Sequence, residues 1–207
     1  SQQDALAAEY LQKALLIEYS FKTLMSLSQL LVRQERHGEA AELLSSYKKQ
    51  AADEPSYWHA LCWLYDFIGH WGKLLETALQ WGSSFKHDKN AYRFLASSYF
   101  QMGRQHDAIT VYEGLLSRHE NETSDADELL QDKARYIELC VASVELEKAN
   151  NVLNTIAQKE ALPGLINAQV QLAIFKGDVA KAESLCNLCV EKYPEFLSIY
   201  SHLSRVA

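Results

Sequence analysis

Apolar side chains recur along this chain at spacings of three and four residues, which is the periodicity of an amphipathic α-helix. Between residues 89 and 122 two such stretches follow one another. The first has its apolar stripe at Tyr92, Leu95, Ala96 and Tyr99. The second has its stripe at Ala108, Tyr112 and Leu115. Gly103 lies between them, where a residue without Cβ reverses the chain at little cost. The pattern therefore predicts a helix–turn–helix pair.

This helix pair is repeated along the chain. Gly69 and Gly103 are separated by about 34 residues, a period found in stacked helix pairs. Gly177 follows after two further intervals, the first slightly longer than this period and the second close to it. Leu74 lies one period before Ala108, and Ala40 lies one period before Leu74. Self-similarity of this kind is typical of supersecondary units that each bury an apolar face against a neighbour.

The whole chain is divided on this basis. Residues 1–20 are predicted to form an N-terminal capping helix. The predicted helix pairs occupy about 21–54, 55–88, 89–129, 130–162 and 163–196, and a partial helix follows at 197–207. First helices of the fourth and fifth units carry a second apolar stripe, which leaves their register open. The chain starts with Ser1 rather than Met, and we expect a processed chain or an excised part of a longer one.

The pattern resembles the tetratricopeptide repeat family, in which each unit has aromatic, Leu, small and Tyr positions on its first helix and small and aromatic positions on its second. The matching residues are Trp58, Leu61, Tyr65 and Gly69; Tyr92, Leu95, Ala96, Tyr99, Gly103, Ala108 and Tyr112; and Gly177, Ala182 and Pro194. Leu74 departs from the pattern, since the family has Ala there. The resemblance implies an all-α fold, a right-handed α–α superhelix of about five helix pairs with additional end helices.

The resemblance also implies a concave groove lined by the first helix of each pair. The corresponding positions are Met25, Gln29 and Arg33; His59, Trp63, Asp66 and Phe67; Asn90, Arg93, Ser97, Phe100 and Gln101; Glu138 and Val141; and Asn167, Gln171 and Phe175. Aromatic rings beside arginine and amide groups provide the stacking area and hydrogen bonds that a bound peptide needs. The alternative is that Trp63, Phe67 and Phe100 pack against the neighbouring unit, as aromatic side chains at helical spacing usually do.

One specialised form of this groove is disfavoured by the residues present. Some family members hold the C-terminal carboxylate of a partner with Lys and Asn on one first helix, Asn on the next and Lys and Arg on the third. The first pair of positions is occupied here by Met25 with Gln29, His59 with Trp63, or Arg93 with Ser97. None of these pairs has the Lys and Asn that such a clamp needs.

Composition excludes several other functions. The net charge of −7 disfavours a general nucleic-acid-binding protein, which needs a basic face. No apolar run approaches the length of a membrane span, and there is no secretory signal pattern. Four cysteines in 207 residues fit a reducing compartment, so a cytoplasmic location is expected.

Cys186 and Cys189 form a CxxC, but they fall on the inner face of a second helix, where packing is the preferred interpretation over zinc or redox chemistry. We expect no metal and no cofactor.

The sequence contains no phosphate-binding loop, nucleophile elbow or zinc-protease signature, so no enzyme motif is present among these types. The acidic stretch at 120–128 is interpreted as a solvated loop leading into a helix, and docking of a basic partner is the weaker alternative. The sequence therefore predicts a non-enzymatic protein–protein interaction scaffold that binds a peptide or helix of a partner. Two alternatives stay open: a repeat module of a larger multidomain enzyme or secretion or assembly component, and a structural module that self-associates through the ends of the array.

Overall fold

A computed structural model describes residues 2–121, 126–156 and 162–206, and all regular elements in these ranges are α-helices. Their order and bounds are α1 Gln2–Ile17, α2 Phe21–Arg33, α3 His37–Ser46, α4 Lys48–Ala51, α5 Pro55–Phe67, α6 Trp71–Ser84, α7 Lys89–Gln101, α8 Gln105–Asn121, α9 Ala126–Ala142, α10 Leu146–Leu153, α11 Pro163–Phe175, α12 Val179–Lys192 and α13 Ser198–Val206. The protein is an all-α helical repeat solenoid.

The helices begin where the sequence supplies suitable residues. Pro55 and Pro163 occupy the first turns of α5 and α11, where a missing backbone N–H leaves no hydrogen bond unmade. Ser20, Asp88 and Asp178 precede α2, α7 and α12, and each accepts a hydrogen bond from a backbone N–H of the first turn. These side chains fix the start of three helices independently of tertiary packing.

The turn inside each helix pair has one recurring backbone conformation. Gly69, Gly103 and Gly177 have φ values of 72°, 75° and 75°, in the left-handed region that glycine tolerates best. Glu35 and Val144 have the same conformation, with φ values of 62° and 64°. Successive turns follow the period of the sequence, with the longest interval between Gly103 and Val144. The turn at Val144 thus lies between Gly103 and Gly177, which are separated by two intervals of the repeat.

Hydrogen bonds show that four of these turns are the same helix-ending motif. In each case a backbone N–H just after the left-handed residue donates to a carbonyl five residues earlier, which satisfies a free acceptor at the helix end. The four pairs are Arg36 N to Leu31 O at 2.9 Å, His70 N to Tyr65 O at 2.9 Å, Glu145 N to Cys140 O at 2.8 Å and Asp178 N to Ala173 O at 2.9 Å. The repeat is therefore one of backbone geometry as well as of side-chain type.

Three helices, α5, α7 and the partial unit's α13, also begin alike. An aromatic side chain in the first turn donates a hydrogen bond to a backbone carbonyl six residues earlier. The bonds are Trp58 Nε1 to Ala52 O at 2.8 Å, Tyr92 OH to Lys86 O at 3.0 Å and Tyr200 OH to Pro194 O at 3.1 Å. The aromatic ring thus joins the start of each first helix to the segment that leads into it.

The chain divides into two compact units, Ser1–Gly103 and Arg104–Ala207. In the first unit α1 packs on α2, α2 on α3, α3 on α5, α5 on α6 and α6 on α7, and α5 also contacts α7. The largest fully buried side chains of this unit include Leu24, Leu44, Tyr57, Leu74 and Trp81. Leu74 is one of the positions that the repeat period identifies.

In the second unit α9 and α11 are each surrounded by three helices. The first of these helices packs on α8, α10 and α11, and the second on α9, α12 and α13. Both helices therefore bury two apolar stripes, and Leu130, Ala134, Ile137 and Val141 of α9 are all buried. This packing explains the second stripe in the sequence.

A buried cluster joins the last three helices of the second unit. It consists of Ile166 and Val170 of α11, Cys186 and Cys189 of α12, and Ile199 of α13. The two cysteines of the CxxC therefore pack as small apolar side chains in the core, as the sequence analysis predicts.

The acidic segment leads into a helix, as its sequence predicts, and its first two residues are also helical. Residues 120 and 121 end α8, and α9 begins at Ala126, inside the range assigned to the third unit. Asp127 and Glu128 lie in the first turn of α9, where a negative charge stabilises the positive end of the helix dipole. Residues 122–125, which belong to the predicted loop, lie outside the described part of the chain.

Candidate functional site

Four of the predicted groove residues surround one cavity in the first compact unit. Met25, Gln29 and Arg33 of α2 and Trp63 of α5 line a pocket of about 490 Å³. Its remaining lining residues are Ser28, Val32, Ala60 and Leu64. Pockets that hold a small molecule or side chain in proteins have volumes of about 300–1,000 Å³. The spacing of these residues along α2 thus places them on one accessible face.

An aromatic cluster lies beside this pocket. Trp63 and Phe67 are one turn apart on α5 and stack with ring centroids 5.5 Å apart and an interplanar angle of 23°. The ring of His37, the first residue of α3, lies 4.2 Å from that of Phe67. Trp63 is 39% exposed and Phe67 is 60% exposed. The two rings therefore pack against each other while much of their surface contacts solvent, unlike the core aromatic residue Trp81, which is 1% exposed.

The other two predicted residues of α5 connect to neighbouring helices. The His59 ring meets Trp81 of α6 and Phe94 of α7 edge-on, at centroid distances of 6.1 and 5.6 Å. Asp66 accepts a hydrogen bond of 3.2 Å from the Ser97 hydroxyl of α7. These contacts hold α5 and α7 side by side, so His59, Asp66 and Ser97 support the packing of the two helices.

The remaining α7 residues form a polar edge. Arg93 Nη1 donates to Asn90 Oδ1 at 2.9 Å, one turn away on the same helix. The Asn90 backbone N–H donates to Asp88 Oδ1 at 3.1 Å. Phe100 is half-buried and Gln101 is exposed at the end of the helix. This edge holds a guanidinium group close to an amide group.

Glu138, Asn167 and Gln171 lie in the second compact unit, on α9 and α11. Asn167 Nδ2 donates to Glu138 Oε1 at 2.7 Å, and Arg135 Nη1 is 3.1 Å from Glu138 Oε2. Asn167 is 6% exposed, and its Oδ1 has no hydrogen-bond partner among the described residues. Gln171 is half-buried. Glu138 and Asn167 therefore belong to a largely buried polar link between two first helices.

The cysteines of the chain are all buried, and the described charged residues form no metal-binding cluster. All four thiols are buried, and burial raises the pKa of each, that of Cys140 to about 11. A raised pKa keeps a thiol protonated and poorly nucleophilic. Within residues 2–121, 126–156 and 162–206, His, Cys, Asp and Glu form no group of three that is able to hold a metal ion. In the same ranges, the helices are too short or too polar to cross a membrane.

No protein-family model matches the chain, and no curated protein matches it in sequence. Solved structures do match. A tetratricopeptide repeat protein from Parabacteroides merdae ATCC 43184 shares 15% identity over 89% of this chain and 71% of its own, with a TM-score of 0.67. A thermophilic TPR protein of Thermus thermophilus shares 16% identity over 90% of this chain and 98% of its own, with a TM-score of 0.68.

The chain has a tetratricopeptide-repeat-like fold. YrrB is a third protein of this fold, at 10% identity over 94% of this chain and 97% of its own, with a TM-score of 0.60. YrrB is described as a TPR protein with an unusual peptide-binding site. At these identities the likeness concerns the fold of this chain, not its ligand.

Within this TPR-like fold, sequence reasoning missed several residues that line the pocket and one, His37, that contacts Phe67 beside it. His37 was missed because it begins a second helix, whereas the groove positions were taken from first helices only. Ser28, Val32, Ala60 and Leu64 lie next to predicted positions on α2 and α5, so a wider stripe would have included them. The hydrogen bonds between Asp66 and Ser97 and between Glu138 and Asn167 join different helices, and nothing in the sequence signals such pairs.

Proposed function

We propose that this protein is a non-enzymatic scaffold that binds a peptide or helical segment of another protein along the first helices of its repeats. The binding residues are Trp63, Phe67, Arg93, Phe100 and Gln101 in the first unit and Gln171 in the second. The contacts of His59, Asp66, Ser97, Glu138 and Asn167 support the helices that present them. Binding requires no metal or cofactor, and the protein acts in the cytoplasm on protein rather than nucleic-acid partners. Association through the array ends is a further part of this proposal.

The observation that carries the proposal is the exposed aromatic pair beside the pocket. Trp63 and Phe67 keep 39% and 60% of their surface in contact with solvent, whereas Tyr57, Trp58 and Tyr65 of the same helix are buried. Aromatic side chains at the centre of an interface supply a large share of binding energy, because they bury much area at low entropic cost. Polar side chains at Gln29 and Arg93 offer hydrogen bonds to a bound backbone.

The comparison with YrrB supports the same interpretation. YrrB has this fold and is described as having a peptide-binding site. The candidate residues of the present chain also lie on helices that contact one another across successive repeats, α5 with α7 and α9 with α11. A binding role in place of catalysis agrees with the protonated, buried thiols described above.

Photo-crosslinking in cells tests this proposal. A benzophenone amino acid replaces Phe67 on the candidate face or, as a matched control, Leu79 of α6, which is 48% exposed on a second helix. We expect a crosslinked partner from Phe67 and none from Leu79. Crosslinking from Phe67 should be lost when Trp63→Ala and Arg93→Ala are combined.

A stability control accompanies this experiment. Because Trp63 is 39% exposed, Trp63→Ala should lower the free energy of unfolding by about 1 kcal/mol, whereas the buried Trp81→Ala should cost about 3–5 kcal/mol. A large loss of stability in Trp63→Ala places this residue in the core and removes it from the proposed site. Crosslinking that occurs from Leu79 and persists without Trp63 and Arg93 contradicts the proposal.

A further inference from the structure

The pocket between α2 and α5 combines an apolar wall with one charged rim residue. Met25, Val32, Ala60, Trp63 and Leu64 supply most of its lining. Its volume is about 490 Å³, and the Trp63 ring that bounds it is 39% exposed. An apolar cavity of this kind is a favourable environment for a large aliphatic or aromatic side chain, which gains from leaving water.

Arg33 supplies the charge at this pocket. It is the lining residue with a formal charge, it is exposed, and none of the described residues forms an ion pair or hydrogen bond with its side chain. Arg36, three residues later, is held by Glu39, with Nε and Nη2 at 2.7 and 2.6 Å from the two carboxylate oxygens. Unlike Arg36, Arg33 therefore has its guanidinium group available for a ligand. A planar guanidinium binds a carboxylate well, since two of its N–H groups can donate to the two carboxylate oxygens.

Ser28 adds a polar group to the pocket wall. It lines the cavity and is 3% exposed, so its hydroxyl has little access to bulk solvent. A hydroxyl in such a place favours an occupant that brings a hydrogen-bond donor or acceptor with it. The pocket therefore has an apolar interior, a buried serine and a cation at one side.

From this arrangement we infer that the pocket is an anchor site for a partner segment in which a large apolar residue adjoins an aspartate or glutamate. The apolar side chain fills the space between α2 and α5, and the neighbouring carboxylate pairs with Arg33. The inference rests on the proposed function, since it specifies the segment that the scaffold binds.

A phage-displayed library of random peptides tests the inference, with the immobilised full chain as bait. We expect enriched peptides to have a large apolar residue next to Asp or Glu. The affinity of a synthetic peptide of the enriched sequence is then measured by fluorescence anisotropy. Arg33→Glu should weaken it about tenfold or more, because an attractive pair becomes repulsive.

Two further variants separate the pocket from general effects. Lys22→Glu makes the same charge change at an exposed position of α2 outside the pocket, and it should leave the affinity within about twofold. Ala60→Phe fills the pocket from α5 and should abolish binding of the apolar anchor. If Ala60→Phe unfolds the chain, Arg33→Glu with its Lys22→Glu control still decides the question, since both sites are exposed.

Other results overturn the inference. Arg33 does not bind a carboxylate of the partner if the enriched peptides have no acidic residue. The same conclusion follows if Arg33→Glu and Lys22→Glu change the peptide affinity equally. If such peptides still depend on Trp63 and Arg93, the proposed function stands and only this anchor fails. The inferred anchor site is also wrong if no peptide is enriched, or if sedimentation shows that the chain self-associates through the pocket. In either case, crosslinking from Phe67 tests the proposed function separately.

Discussion

At the residue scale, two side chains occupy a backbone conformation that glycine adopts at the equivalent turns. Glu35 and Val144 have φ values of 62° and 64°, whereas the other three turns have glycine. The left-handed region costs a residue with a Cβ roughly 1–2 kcal/mol, and a β-branched side chain is the least suited to it. Val144 is also 64% exposed, so its side chain recovers little of this cost by packing.

Val144→Gly should therefore stabilise the protein by about 1 kcal/mol, since relief of strain exceeds the added entropy of the unfolded chain. The midpoint of urea unfolding should rise with an unchanged slope. As the matched control, Gly177→Ala places a Cβ at the same turn position, where φ is 75°, and should destabilise by a similar amount. If Val144→Gly leaves the free energy of unfolding unchanged or lowers it, the positive φ of Val144 causes no strain at this turn.

The residues of the candidate site were predictable only in part. The resemblance to the tetratricopeptide repeat family assigned Met25, Gln29 and Arg33 to one face of a first helix, and in the structure all three line one pocket with Trp63. Spacing does not reveal the contact of His37 with Phe67, because these residues belong to different helices. Periodicity shows which residues share one face of a helix. It does not show which residues of another helix that face contacts.

At the scale of helices, the second helix of most pairs carries a small residue at one buried position. Ala40, Ala108, Ala149 and Ala182 are all 0% exposed, and Leu74 occupies the equivalent position, also at 0%. A small side chain allows two helices to approach closely. Leu74 shows that one unit accommodates a larger side chain, so the local packing and not the repeat alone sets the space available.

Ala182→Leu is expected to cost about 1–3 kcal/mol of stability, because the added atoms have no space between α11 and α12. Ala180→Leu is its matched control, two residues away on the exposed face of α12, and should change stability by less than about 0.5 kcal/mol. Thermal unfolding followed by circular dichroism measures both. Equal effects in the two variants show that α12 does not pack through Ala182.

Helix pairing was predictable from the sequence, whereas some helix ends were not. Glycine spacing identified three turns directly, whereas the turns at Glu35 and Val144 have no glycine to mark them. The acidic stretch at 120–128 predicted a loop that leads into a helix, and α9 starts within it at Ala126, with Asp127 and Glu128 in the first turn. The double apolar stripe of α9 left the register open because this helix is surrounded by α8, α10 and α11.

At the scale of the whole molecule, the repeat pattern predicts the all-α solenoid but not its division into two compact units at Gly103 and Arg104. The period continues through this point, and α7 and α8 belong to the same predicted helix pair. Compactness depends on how many contacts each stretch of chain makes within itself. The number of these contacts depends on the tertiary packing of all helices in a unit. The sequence pattern shows only which face of each helix is apolar, so it does not predict the division.

The four cysteines report on both units, with Cys62 in the first and Cys140, Cys186 and Cys189 in the second. Each is 0% exposed. At about pH 8 none should react with a thiol reagent in the native protein, and all four should react in urea, because only the unfolded chain exposes a thiolate. A thiol that reacts in the native protein at the rate of a free one contradicts the burial of its helix.

The same thiols make stability depend on pH. Burial raises the pKa of Cys140 to about 11, whereas an unfolded cysteine ionises near a pH of about 8.5. Below about pH 8.5 both states are protonated, and the contribution of the thiol to folding is fully present. As the pH rises towards 11, the unfolded chain loses a proton that the folded chain keeps, so the free energy of unfolding falls.

Urea midpoints measured from about pH 7 to about pH 10.5 should therefore decline above about pH 8.5. Burial also raises the pKa of Cys62 and Tyr57, which act in the same direction, so the decline has several sources. It should be shallower in Cys140→Ala, because that variant lacks one of the groups that the unfolded chain ionises first. An equally steep decline in Cys140→Ala excludes this thiol as a source of the pH dependence.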